Sequence, residues 1–132
     1  CEVIGIGIPL SEIDFAKAKE FLARIRPLLA SNECTFQISE KNKNFDRQYP
    51  MKDNEKVGII RLLTPEDCVK IEPNNNPRFV DSDVYVFIKN AEIMVYGELE
   101  LHKLYIKIYL REKKTYDTVI VISFHEEGLH GY

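Results

Sequence analysis

The clearest pattern of hydrophobic and polar positions lies in residues 102–111, where the two kinds of side chain alternate one by one. The apolar positions are Leu104, Ile106, Ile108 and Leu110, and the positions between and beside them hold Lys103, Tyr105, Lys107, Tyr109 and Arg111. Because successive side chains of a strand point to opposite faces, this alternation predicts a half-buried β-strand. One face is expected in the core, and the other presents cations and phenolic rings.

A second strand is predicted over residues 119–125, which are rich in β-branched side chains. The apolar residues assigned to the core from this strand are Ile120, Ile122 and Phe124. If the two strands pair as a hairpin, Ser123 and His125 emerge on the same outer face as Tyr105 and Lys107. The sequence therefore predicts an imidazole on a basic, aromatic surface.

This outer face has two interpretations. Cations bind phosphates and phenolic rings stack on bases, so the combination suits single-stranded nucleic acid. The alternative is an ordinary solvent-facing strand, on which Lys and Tyr improve solubility and satisfy β-propensity.

Histidine chemistry favours His125 as the candidate catalyst, since imidazole exchanges protons near neutral pH. Glu126 and Glu127 follow it directly and are expected either to raise its pKa or to form a solvated strand end. His102 and His130 have no evident partners in the sequence and are assigned to the surface.

The N-terminal half is predicted to be mainly helical. Ser11 and Asp14 have the spacing of a capping box, and apolar residues recur at helical spacing up to Leu29, so a helix is predicted over about residues 13–30. Pro27 must lie in its final turn or kink it. Residues 2–9 are predicted to be a short strand or the remnant of a longer N-terminal segment, and a short strand is predicted at residues 35–39. Residues 41–44 are a polar loop or a helix start, and residues 55–63 carry a helical stripe.

Thr64, Pro65, Glu66 and Asp67 follow in the order of a helix start, so a further short helix is predicted there, ended by the loop at residues 72–77. Beyond Asp83 only strands are expected: residues 83–89, residues 91–101 in an uncertain register, and the two strands above. Helices followed by an antiparallel sheet predict an α+β fold, and 132 residues are typical of a single domain, residues 1–132.

The distribution of charge along the chain limits the kind of nucleic acid that the protein is expected to bind. The net charge of −3 argues against binding duplex nucleic acid through bulk electrostatics. Residues 102–114 nevertheless contain five Lys or Arg side chains and one Glu, so a local cationic stripe remains.

The number and spacing of the cysteines, together with the hydropathy of the chain, indicate the cellular compartment and the cofactors to be expected. Cys1, Cys34 and Cys68 lie far apart with no metal-ligand spacing, so neither a zinc site nor any cofactor is expected. An odd cysteine count without a long apolar run favours a cytoplasmic protein that does not bind membranes. Cys1 in place of Met indicates truncation or processing, with a mature lipoprotein as a minority interpretation. Phosphate-binding glycine motifs and the nucleophile elbow of α/β-hydrolases are absent from the sequence.

Six segments, read in order, resemble the MqsR-type toxin family of toxin–antitoxin systems over about residues 20–127. They are Phe21-Leu22, Ile38 with Lys43-Asn44, Leu63-Thr64-Pro65-Glu66-Asp67, Val84-Tyr85-Val86-Phe87, Leu104-Tyr105-Ile106-Lys107-Ile108 and Ile122-Ser123-Phe124-His125. The resemblance implies a RelE-like α+β fold, metal-independent mRNA cleavage and a cognate antitoxin protein as partner. It also implies family catalytic positions at Lys70, at the end of the second predicted helix, and at Tyr105 and His125.

Cleavage of RNA without a metal requires a base for the 2′-hydroxyl, cations for the phosphorane and an acid for the departing oxygen. We assign proton transfer to His125, phosphate stabilisation to Lys107 and Lys70, and phosphate orientation or shared acid–base work to Tyr105. The residues expected to grip flanking nucleotides are Lys103, Tyr109 and Arg111. The alternative is a non-catalytic module that binds RNA or a protein through the same face or the sheet edge.

Overall fold

The fold is that of the α+β class, as predicted, in a computed structural model that describes residues 11–79, 81–112 and 115–127. The helices are α1 (Glu12–Ala30), α2 (Glu40–Gln48) and α3 (Asp53–Ile60). The strands are β1 (Cys34–Phe36), β2 (Cys68–Glu72), β3 (Val84–Val95), β4 (Glu98–Glu112) and β5 (Asp117–Glu126). The strand predicted at residues 2–9 lies outside the described residues, as do Cys1 and His130.

The strands form one five-stranded sheet in the order β1-β5-β4-β3-β2. β1 pairs with β5 in parallel, and every other neighbouring pair is antiparallel. The consecutive strands β3, β4 and β5 therefore form the centre of the sheet, and β2 and β1 are its edges.

α1 confirms the predicted first helix within one residue. The Ser11 hydroxyl accepts a hydrogen bond from the Asp14 backbone N–H at 3.1 Å, which caps a backbone donor that the helix leaves unpaired. Pro27 lies in the last turn, one of the two predicted alternatives, where it removes one backbone N–H donor from the helix. Among the described residues, none of the helices has the length and apolarity needed to cross a membrane.

Residues 41–44, predicted as a loop or a helix start, lie in α2. The Ser39 hydroxyl caps this helix by accepting the Asn42 N–H at 3.2 Å. The Asn42 side chain ties the helix to β5, because its amide donates to the Ile122 carbonyl at 3.0 Å and its oxygen accepts the Phe124 N–H at 3.0 Å. A buried asparagine therefore fixes α2 against the strand that carries His125.

The short helix predicted to continue from Thr64 is wrong beyond its first turn. Pro65–Asp67 forms a single 3-10 turn, in which the Asp67 carboxylate accepts the Thr64 N–H at 2.9 Å. The chain then enters β2, whose residues hydrogen-bond along β3. Pairing with a neighbouring strand outweighs the local helix-start signal, and Lys70 consequently lies on an edge strand rather than at a helix end.

β3 and β4 form one long hairpin, so the separate strand predicted over residues 91–101 is wrong: a turn divides these residues between β3 and β4. The turn is made by Tyr96 and Gly97, with φ values of +50° and +84°. Positive φ at both central residues is the conformation that matches the twist of the paired strands. Val95 therefore pairs with Glu98, and Tyr85 with Ile108 at the other end of the ladder.

The two faces of the sheet differ, and we call them the first face and the second face. On the first face, α1 packs over a core that includes Leu104, Ile106, Ile108, Leu110, Val119, Val121 and Phe124. The second face carries a smaller apolar cluster of Val84, Val86, Tyr109 and Ile120, with Phe79, Tyr105 and Ile122 packed against it. The predicted alternation of β4 is therefore confirmed.

The predicted core face of β5 is wrong at Ile120 and Ile122. Lys107 pairs with Ser123, whereas the next residue of β4, Ile108, pairs with Val121, so Ile122 is an extra residue in β5. Such a bulge reverses the side-chain alternation on either side of it. Phe124 and His125 keep their predicted faces, while Ile120 and Ile122 turn to the second face.

Candidate nucleic-acid interface on the second face

The strand register brings four of the predicted site residues into two neighbouring rows of the second face. One row runs across the sheet from Lys70 through Val86 and Lys107 to Ser123. The adjoining row pairs Ile88 with Tyr105, and Tyr105 with His125. Side chains opposite each other on antiparallel strands lie about 4.5–5.5 Å apart at Cβ, so these rows form one continuous patch.

His125 is held between Tyr105 and its own backbone. The two rings stack with their centroids 5.4 Å apart and their planes 18° from parallel, and the imidazole Nδ1 lies 2.9 Å from the Glu126 carbonyl oxygen. Because a carbonyl oxygen only accepts hydrogen bonds, Nδ1 carries the proton of the neutral ring and Nε2 carries the lone pair. Nε2 is therefore the ring nitrogen that can accept a proton.

The pKa of His125 is lowered rather than raised, contrary to the expectation from Glu126 and Glu127. Burial is the main cause, since His125 is only 4% exposed, and the positive charges of Lys41 and Lys107 lower the pKa further. The Glu126 carboxylate points instead to His102. The imidazole is consequently neutral near pH 7.

Lys107 and Lys70 share one carboxylate. Glu72 lies 2.9 Å from the Lys107 ammonium through Oε2 and 3.2 Å from the Lys70 ammonium through Oε1. Burial alone raises the pKa of Glu72, but the hydrogen bonds from the two lysines outweigh it and hold this pKa below its usual value. Burial likewise lowers the pKa of Lys107, and the bond to Glu72 reverses that effect and leaves the pKa raised. Glu72 and Lys107 are therefore both charged near neutral pH.

The residues expected to grip flanking nucleotides differ in their accessibility. Lys103 is exposed, as predicted. Tyr109 lies on the predicted face but is only 3% exposed, because Phe79 covers it with the ring centroids 5.8 Å apart. The Arg111 guanidinium lies 5.9 Å above the same Phe79 ring, and its Nε is buried without a hydrogen-bond partner among the described residues. Lys103 is thus the most accessible of the three.

Beside Lys107, the second face contains a hollow of about 390 Å³ that the sequence did not indicate. Its walls come from Glu72, the following polar loop, Gln37 after β1, and Tyr109. The loop is pinned by Asn74, whose amide donates to the Ser82 carbonyl at 3.0 Å and whose oxygen accepts the Asn76 N–H at 2.9 Å. The sequence identified residues 72–77 only as an exposed loop, and the run of three asparagines was its one available signal.

His102 lies on the first face and has partners that the sequence did not reveal. Its Nδ1 lies 2.7 Å from Glu126 Oε2, its Nε2 lies 3.0 Å from Glu100 Oε1, and its ring contacts Tyr49 with a centroid distance of 4.5 Å. Burial lowers its pKa, but the two carboxylates outweigh burial and raise it. The assignment of His102 to a partnerless surface position is therefore wrong, because the pairing of β4 with β5 brings Glu126 to it.

Two other reactive groups are accounted for in the described part of the chain. Burial raises the pKa of the Cys34 thiol to about 12 and that of the Cys68 thiol to about 11, so neither is a thiolate near neutral pH. Among residues 11–79, 81–112 and 115–127, no cluster of three or more His, Cys, Asp or Glu side chains is arranged to hold a metal ion. The titratable patch around His125 is consequently the strongest chemical candidate.

Comparison of the chain with protein-family models, with characterised proteins and with solved structures finds no significant match. The resemblance to MqsR-type toxins therefore stays a prediction that rests on the sequence motifs.

Proposed function

We propose that the second face cleaves single-stranded mRNA and that the protein is the toxin of a toxin–antitoxin system. The observation that carries the proposal is the neutral imidazole of His125, stacked on Tyr105 and adjoining the row of Lys107 and Lys70. A base, a phenol and two ammonium groups on one sheet face are the types of group that attack by a 2′-hydroxyl requires. With mRNA as its substrate, the protein acts in the cytoplasm.

The proposed step moves one proton at each end of the reaction. His125 Nε2 takes the proton of the 2′-hydroxyl, the 2′-oxygen forms a bond to phosphorus, and the bond from phosphorus to the 5′-oxygen breaks. The Tyr105 hydroxyl gives its proton to the departing 5′-oxygen, and exchange with solvent restores both side chains. The products are a 2′,3′-cyclic phosphate and a 5′-hydroxyl. DNA lacks the attacking hydroxyl and cannot react in this way.

Lys107 and Lys70 supply the positive charge, in competition with Glu72. In the structure the Glu72 carboxylate forms ion pairs with both ammonium groups. A phosphate that enters the site must therefore replace Glu72 as their partner or bind on their open side. The Lys70 side chain is 57% exposed and can turn to a phosphate with little rearrangement, whereas the Lys107 side chain is only 25% exposed and stays within the patch.

The proposed antitoxin would silence the enzyme by covering this face or by adding a strand at the β2 edge. The β3–β4 hairpin supports the first route. Met94 pairs with Leu99, and Glu92 with Leu101, and all three apolar side chains are more than half exposed. Their alternation places them on the same face as Lys103 and Tyr105. Exposed apolar residues beside a functional surface are typical of protein-binding sites.

The exposed apolar residues of this hairpin also favour the second candidate function, a module that binds RNA or a protein without turnover. The low exposure of the His125 side chain favours the same alternative, because a catalytic base must reach its substrate. Only a cleavage assay separates the two functions.

The test is incubation of the purified protein with a single-stranded RNA oligonucleotide in EDTA, followed by end-group analysis. We expect products with 2′,3′-cyclic phosphate and 5′-hydroxyl ends, and resistance when deoxyribose replaces ribose at the cleaved position. Products with a 3′-hydroxyl would contradict the mechanism. Intact RNA, together with measurable RNA binding, would favour the non-catalytic module. Induction in a bacterial host with and without the adjacent gene tests the toxin–antitoxin assignment by growth arrest.

A further inference from the structure

The hollow beside Lys107 has the size of a nucleotide site. Its volume of about 390 Å³ lies within the range of about 300–1,000 Å³ that small-molecule sites occupy. Lys107 lies at the boundary between this hollow and the patch of Tyr105 and His125, because it lines the one and belongs to the other. A phosphate bound by Lys107 could therefore join a nucleotide in the hollow to the reacting position.

The chemistry of the walls suits a nucleobase. Gln37 and Asn75 bring amide groups, each with donors and an acceptor, and such groups recognise the hydrogen-bonding edges of bases. The Asn76 side-chain oxygen is used within the loop, since it accepts the Arg78 N–H at 3.0 Å. Val84 and Ile122 form an apolar surface against which the flat face of a base can lie. The lining holds one ammonium and one carboxylate, from Lys107 and Glu72, which lie 2.9 Å apart, so it suits a neutral ring and offers Lys107 to a phosphate that takes the place of Glu72.

The supports of these amides are fixed before any ligand binds. Gln37 is anchored through its backbone, because its N–H donates to the Val121 carbonyl at 2.9 Å and its carbonyl accepts the Asn42 amide at 2.9 Å. The opposite wall is anchored by the Asn74 hydrogen bonds described above. Groups held on fixed supports lose little freedom on binding, which favours discrimination between similar ligands.

We propose that this hollow binds one unpaired nucleotide next to the scissile phosphate and sets the base preference of the enzyme. The inference rests on the proposed function for its biological meaning, but nucleotide binding can be measured without cleavage. Gln37 and Asn75 are exposed, so their truncation removes the base contacts without opening the core.

The first arm of the test is titration of the ¹⁵N-labelled protein with each of the four nucleoside 3′-monophosphates and with ribose 5-phosphate. We expect at least one nucleotide to bind 10-fold or more tighter than the base-free phosphate, with amide shifts at Gln37 and Asn75. Gln37→Ala and Asn75→Ala should each remove most of that preference. Gln48→Ala and Asn54→Ala are the matched controls, since these exposed residues lie outside the hollow.

The second arm is the cleavage-site spectrum of the same proteins on an RNA pool of random sequence. We expect the ratio of preferred to other sites to fall at least 10-fold in Gln37→Ala or Asn75→Ala and to stay at the wild-type value in both controls. Base-dependent nucleotide binding without any cleavage would support the hollow and overturn the proposed function. Cleavage with unchanged base preference in both variants, together with equal binding of nucleotides and ribose phosphate, would contradict the proposed nucleotide site. The proposed function would then remain supported.

Discussion

The first and second faces are formed by the same strands, but the side chains on the two faces have different environments. On the first face, Leu104, Ile106 and Phe124 are almost completely buried beneath the helices. On the second face, a small floor of Val84 and Val86 is bordered by ionisable side chains and remains open at a hollow. Burial of apolar area on one face supplies most of the stability, so the other face can hold charged groups that contribute little to it.

The two described histidines show the same contrast. His102 on the first face lies between two carboxylates, which favour its protonated form. His125 on the second face lies beneath Tyr105 and near Lys107, where burial and positive charge favour its neutral form. The first face of the sheet therefore favours a charged histidine paired with carboxylates, and the second face favours a neutral histidine that can accept a proton.

The largest expected effect is the loss of activity in His125→Ala. Removal of a general base lowers rates by about 10²–10⁴-fold, so RNA cleavage should fall by that factor while the protein stays folded. His125→Gln is the second variant, because a polar side chain of similar length preserves the packing under Tyr105. Wild-type cleavage rates in both variants would remove His125 from the mechanism and erase the functional difference between the faces.

Truncation of the first face should cost stability instead. Phe124 packs against Phe45 and Phe36 with ring centroids 5.9 and 6.3 Å away, so Phe124→Ala should lower the free energy of unfolding by about 3–5 kcal/mol. Ile122→Ala, in the neighbouring bulge on the second face, should cost less than about 2 kcal/mol because Ile122 is only partly buried. Urea denaturation measures both. An equal or larger cost for Ile122→Ala would show that the second face also carries the core.

The pH dependence should have opposite signs for the two histidines. The folded pKa of His102 is raised above its usual value by Glu126 and Glu100, so its stabilising effect is complete below about pH 6.5 and is lost as pH rises through the folded pKa. The folded pKa of His125 is lowered, so stability is lost as pH falls below about 6.5 through that pKa.

Histidine-ring NMR signals followed against pH give both pKa values directly. We expect the His102 midpoint above that of a free histidine and the His125 midpoint below it. Denaturation of His102→Gln should lose the component of stability that declines as pH rises. Midpoints in the reverse order would contradict the assigned environments.

The smallest effect is expected for Lys103→Ala. An exposed lysine that contacts one phosphate of a single strand contributes about 0.7 to the slope of log affinity against log salt concentration, so this slope should decrease by about that amount. Lys19→Ala is the matched control, because Lys19 is an exposed residue of α1, and it should leave the slope unchanged. An equal decrease in both variants would mean that RNA contacts are not confined to the second face.

The sequence predicted the parts of the fold that depend on regular periodicity. The alternation in β4 and the helical spacing of α1 survive in the structure because each buries one regular face. The bulge at Ile122 was not predictable, since every residue from Val119 to Ile122 is compatible with either face and only the pairing with β4 selects one. The helix-start signal at Thr64 was genuine but lasts one turn, because β3 captures the following residues as a strand.

The candidate site was predictable in part for the same reason. Tyr105, Lys107 and His125 were brought together correctly because the pairs Tyr105–His125 and Lys107–Ser123 lie on the same side of the bulge, where the alternation is regular. Glu72 and Gln37 were missed, since their approach to Lys107 depends on β2 and β1 lying at opposite edges of the sheet. Contacts between strands distant in sequence leave no local pattern.

The central claim is that RNA binds to the second face around His125, Tyr105 and Lys107. The most direct measurement is titration of the ¹⁵N-labelled protein with a short single-stranded RNA that carries 2′-O-methyl groups throughout, which removes the attacking hydroxyl. We predict amide shifts in residues 70–72, 103–109 and 122–125, with α1 unaffected. Shifts concentrated in α1, or no binding at low salt, would contradict the account.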